Sequence, residues 1–74
     1  MDRDEREIRR VLAANVLRFR AALGLTIEAA AERGDLAPRQ WSRIEAGESN
    51  TTLSTLVRLA RALSVRVAML FGEP

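Results

Sequence analysis

The sequence predicts an all-α domain of five short helices. Three observations lead there. Apolar residues recur at three- and four-residue steps through the regular stretches. Capping residues (Thr, Pro, Gly) stand at short intervals between them. No convincing strand interrupts the pattern. Seventy-four residues leave room for one core, so the expectation is a single domain over 1–74.

The first helix is expected over 4–23. Ile8, Val11, Leu12, Val16, Phe19 and Leu23 form its apolar stripe. Asp4, Glu5 and Glu7 sit at its positive end, where carboxylates are favoured. Gly24 follows as a left-handed C-terminal cap. Thr26 caps a second helix over 27–33, in which Ala29, Ala30 and Ala31 let another helix come close. Gly34-Asp35 makes the next turn, since Asp tolerates a positive φ. The third helix runs over 38–46, opening on Pro38, whose missing N–H is not needed at a first helical position, and closing at Gly47. Thr52 caps a fourth helix through Leu63, with Leu53, Leu56, Val57, Leu59, Ala60 and Leu63 expected on its buried side. Residues 64–66 interrupt, and a short fifth helix is expected at Val67–Phe71.

Composition narrows the chemistry. With no cysteine, no disulfide, thiolate metal site or redox pair is possible, and with no histidine the commonest general base and zinc ligand is missing. The expectation is a non-enzyme without metal or cofactor. All twelve basic residues are arginine, so every cation is a planar fork able to make bidentate contacts. The net charge is only +2, but its distribution is uneven. Residues 8–27 hold four arginines and no acid, and residues 49–72 hold three arginines and no acid. A basic face and ordinary solvated helix surfaces both fit this distribution. No apolar run has membrane-spanning length, and the acidic N-terminus does not suit a signal peptide, so a cytoplasmic chain is expected.

Helices two and three, with the short turn between them, have the spacing of a helix-turn-helix. Ala31 supplies a small residue at the crossing, and Leu36, Trp41 and Ile44 supply the inner side. That leaves Arg39, Gln40 and Arg43 pointing outward, with Arg39 and Arg43 on one face because they are four apart. Two arginines one turn apart suit guanine O6 and N7 in a major groove. The only tryptophan has two readings, an anchor for the third helix or a stacking platform for bases. Its inward position favours the anchor.

The stretch "LGLTIEAAAERGDLAPRQWSRIEAGESNTTLSTLVRLARALSV" resembles the lambda-repressor-like, Xre-type helix-turn-helix family, and the likeness covers about residues 12–71. "LAANVLRFRAALGLT" resembles the family's first helix, and "SRIEAG" and "TLSTLVRLARAL" its third and fourth. Residues 4–11 then form an N-terminal extension of helix one. The resemblance implies that Arg39 and Arg43 contact base edges, with Gln40, Pro38 and Ala37 near them. It implies that Asn50 and Thr51 touch phosphates, as do Thr26 and the backbone of Ile27. It also implies a salt bridge between Arg20 and Glu45, with Arg20 structural rather than a DNA contact. Ile27, the order Gly34-Asp35, Ala37 and Thr51 depart from the family pattern.

The function implied is a transcriptional regulator of the repressor or controller-protein type, a homodimer binding double-stranded DNA at a palindromic operator. It would associate with the nucleoid when bound and possess a contact to RNA polymerase. Val67 and Met69 are the candidate subunit contact, with a core position as the competing reading. The alternative is an antitoxin-like interaction module whose main partner is a toxin or another protein.

Overall fold

The computed structural model describes residues 2–72, so Met1, Glu73 and Pro74 of the expected domain lie outside the described residues. The first helix, α1, spans Arg3–Ala22. It begins slightly earlier than the apolar pattern suggests because the Asp2 carboxylate accepts hydrogen bonds from the N–H groups of Asp4 and Glu5 at 2.7 and 3.2 Å. At 1.5 Å per residue its twenty residues run about 30 Å, close to the 32 Å long dimension of the molecule. It ends at Gly24, φ +68°, where the Leu25 N–H returns to the Arg20 carbonyl at 3.2 Å.

The expected stripe on α1 is corrected at both ends. Leu12 and Val16 are buried, and Val11 and Phe19 partly so, but Ile8 is 56% exposed and Leu23 is exposed too. Residues 2–8 are all exposed, because the first turns of α1 extend past the elements that pack on it. Asn15 takes a core-facing position instead.

Helix α2 spans Ile27–Arg33, capped by Thr26, whose hydroxyl oxygen accepts from the Ala29 N–H at 3.0 Å. In the following turn Asp35 adopts φ +56°, while Gly34 has an ordinary φ of −95°. Gly34 is needed for space. A Cβ there would lie 2.9 Å from the Arg58 carbonyl oxygen and 3.2 Å from the Ala62 Cβ. Helix α3, Pro38–Glu45, starts from Ala37 with no side-chain cap.

Helix α4, Leu53–Leu63, is capped by Thr52 and ends on Ser64 in the left-handed conformation, φ +58°. Its buried side is Thr55, Leu56, Leu59, Ala60, Ala62 and Leu63. Leu53, 81% exposed, and Val57 were expected inside and lie outside. Two small residues, Thr55 and Ala62, occupy the seam, so the helix is rotated away from Val57. Val67–Phe71 forms a 3-10 turn rather than a fifth α-helix. Five residues are too few to propagate α-helical bonds, and the turn closes with i→i+3 bonds, Met69 N–H to Arg66 and Gly72 N–H to Met69.

The core is built from all these elements. Val16, Ala30, Ala31, Trp41, Leu59, Ala62 and Leu70 are fully buried. α1 packs on α3, α4 and the 3-10 turn, and α2 packs on α3 and α4. The buried Asn15 amide donates to the Leu70 and Gly72 carbonyls at 2.8 and 2.9 Å, pinning the 3-10 turn to α1.

Candidate nucleic-acid interface

The geometry of α3 follows from the alternation of its two faces. Trp41 and Ile44 are buried, whereas Pro38, Arg39, Gln40, Ser42 and Arg43 are exposed. Trp41 therefore fills the centre of the fold and is unavailable to stack on bases. Burying a side chain of that size secures α3 by several kcal/mol, about 3–5 if it were cut to alanine. The outward residues are thus presented on a helix that cannot roll.

A hydrogen-bonded hub fixes the other end of α3. The Glu45 carboxylate accepts from Arg20 Nε at 2.6 Å and Arg20 Nη2 at 2.9 Å. Its Oε2 also accepts from the Trp41 indole N–H at 2.6 Å. Arg20 Nη1 donates to the Leu25 carbonyl at 2.9 Å, so one guanidinium joins α1, the loop before α2 and α3. The side chains of Arg20 and Glu45 are 17% and 9% exposed, so water screens the pair weakly. The hydrogen bond from Glu45 raises the pKa of Arg20 above its ordinary value, against the opposing pull of desolvation. Arg20 is therefore spent inside the fold.

Ala37, Arg39, Gln40 and Arg43 share an open concavity of about 440 Å³ with Ser49 and Asn50 from the loop after α3. Arg39 and Arg43 have no ion-pair partner among the described residues, so both cations face this space. Asn50 is exposed beside them, and Thr51, half-buried, donates its hydroxyl to Ser49 Oγ at 3.4 Å. Thr26 and Ile27 do not line the concavity. The Thr26 hydroxyl caps α2, and Ile27 packs partly against the core. Of the 3-10 turn, Val67 packs partly against the core and Met69 is 42% exposed.

Ser49, Arg9 and Asn15 carry structural weight that sequence reading missed. Each acts across a long sequence separation, so no local pattern marks it. The Trp41–Glu45 bond had a local signal, an i,i+4 spacing on one helix.

A short first helix, a tight αL turn and a second helix with arginines outward form a helix-turn-helix. The profile of the helix-turn-helix family HTH_3 matches residues 16–70. The chain belongs to this family. The HTH_3 match spans the end of α1 through the buried Leu70, so it covers the core and the whole candidate interface. No curated protein sequence matches the chain. Among solved structures it is similar to the hypothetical transcription factor NHTF from Neisseria. That likeness has 33% identity and a TM-score of 0.88, over 95% of this chain and 80% of that one. It is similar to the restriction-modification controller protein C.AhdI from Aeromonas hydrophila at 27% identity and TM-score 0.82, over 85% of this chain and 96% of that one. The clp gene regulator ClgR from Corynebacterium glutamicum matches at 30% identity and TM-score 0.79, over 85% of this chain and 67% of that one. Among the described residues no helix is long and apolar enough to cross a membrane.

Proposed function

We propose that the protein is a sequence-specific, double-stranded-DNA-binding transcriptional regulator that acts as a homodimer on a palindromic operator. The observation that carries the reading is the division of α3: Trp41 locked inside, Arg39 and Arg43 unpaired and one turn apart outside. In this reading α3 lies in the major groove. Arg39 and Arg43 address base edges, Gln40 a base or phosphate, and Ala37 and Pro38 approach the groove at the helix start. Asn50 and Thr51 take phosphates on one side. The backbone N–H groups after Thr26, including that of Ile27, take one on the other.

A single domain of this size addresses few base pairs, so two copies span half-sites about 34 Å apart. The exposed Met69 beside Val67 suits the subunit contact. Size and likeness to a controller protein support a stand-alone regulator that represses by occluding its promoter or switches its own operon.

The test is selection of bound sites from a random DNA pool, followed by Arg43→Ala. Symmetric half-sites are expected. The variant should lose ~1–3 kcal/mol at one base pair and relax specificity there. Unchanged operator affinity would remove α3 as the reading helix. Failure of any site to enrich at low salt, where phosphate contacts are strongest, would favour a protein-interaction role such as an antitoxin's.

A further inference from the structure

We propose that Arg9, on the turns of α1 that precede the family match, is a positioning residue for the loop over residues 48–51. It would thereby position the phosphate contacts that this loop makes. The inference rests on the DNA-binding reading above.

Residues 2–8 of α1 are exposed, yet the Arg9 side chain is only 16% exposed. It lies along the protein surface, and two partners hold it there. Nη2 donates to Glu5 Oε2 at 2.6 Å, one turn back on the same helix, and Nη1 donates to the Glu48 carbonyl at 3.4 Å. The second bond joins α1 to the loop after α3 across 39 residues of sequence.

That loop has few other ties. Its backbone bond to α3 is Glu48 N–H to the Arg43 carbonyl at 3.0 Å, and the Thr51–Ser49 hydroxyl bond is internal to it. Regular structure resumes only at the Thr52 cap. Meanwhile Ser49 and Asn50 form a wall between two concavities. In front lies the one containing Arg39, Gln40 and Arg43. Behind lies one of about 250 Å³, bounded by Arg9, Ile8, Leu12, Leu56 and Phe71. A loop free to sink into the rear concavity would withdraw Asn50 from the groove. The guanidinium and its aliphatic stem fill that side and hold the Glu48 carbonyl forward. A loop ordered before binding avoids the entropy cost of ordering it on the DNA.

The test uses the full chain on its selected operator, with Arg9→Gln, Asn50→Ala, the double variant, and Arg6→Gln as a charge-matched control. Arg6 lies on another side of α1, near Ala13, Leu17 and Gly47. Arg9→Gln is expected to weaken binding by about tenfold. It should also make the slope of log K against log salt shallower by about 0.9, one phosphate contact. Asn50→Ala should then add little in the Arg9→Gln background, because both remove the same contact. In the free protein, amide order parameters over residues 49–51 should fall from about 0.85 to below about 0.6 in Arg9→Gln. A direct Arg9–phosphate contact would not move that readout.

Additive losses, or unchanged order parameters, would overturn the proposal. So would an Arg9→Gln protein that binds like Arg6→Gln. If the unmodified protein binds no DNA, the DNA reading fails by itself, and the order parameters still decide whether Arg9 braces the loop.

Discussion

Glu45→Gln puts the hub behind the recognition helix under the sharpest strain. The substitution keeps shape and removes one charge and one acceptor. Three donors now converge on the carboxylate within 2.6–2.9 Å: Arg20 Nε, Arg20 Nη2 and Trp41 Nε1. The amide oxygen of Gln can still accept at the Oε2 position, but its NH₂ faces Arg20 Nη2, donor against donor. A stranded donor costs about 1–3 kcal/mol. Breaking a fully buried ion pair costs about 3–5 kcal/mol. At 17% and 9% exposure some water reaches this pair, which brings the total to about 2–3 kcal/mol. A chain of 74 residues has a total stability of roughly 4–11 kcal/mol at 0.05–0.15 per residue. The loss is therefore a large share of it, and Tm should drop by about 10–20 °C. Urea unfolding followed by the fluorescence of Trp41, the only tryptophan, reads both the stability and the environment of the hub. Operator affinity should fall as well, although Glu45 faces away from the groove, because α3 loses an anchor. A denaturation midpoint equal to that of the unmodified protein would refute the assignment of the hub as what holds α3.

Other outcomes follow from the same structure. Gly34→Ala should cost about 1–3 kcal/mol by overpacking, since its Cβ would sit 2.9 Å from a backbone carbonyl that cannot swing aside; a neutral or stabilised variant in urea would show that α2 and α4 separate easily. Ala37→Ser should stabilise the domain by about 1 kcal/mol, because Ala37 already has N-cap geometry, φ −70° and ψ 141°, without a side-chain acceptor; thermal unfolding at unchanged Tm would show that the hydroxyl does not reach the free N–H groups.

What the sequence alone determined lies within about four residues along the chain. Thr26 and Thr52 cap their helices, Asp35 takes the positive φ, and Leu36, Trp41 and Ile44 turn inward while Arg39 and Arg43 turn outward. Each depends on cap chemistry, turn sterics or the 3.6-residue period, which a local stretch carries complete. Only the tertiary structure decided which edge of an apolar helix meets its neighbours. Val57 and Leu53 are as apolar as Leu56 and Leu59, yet small Thr55 and Ala62 lie in the seam because α2 comes close there, at Gly34. The same holds for the polar links. Asn15 reaches the Leu70 carbonyl across 55 residues, Arg9 reaches Glu48 across 39, and Arg20 reaches Glu45 across 25. Such pairs depend on where separate elements come to rest against one another, and helical periodicity has no memory over that distance.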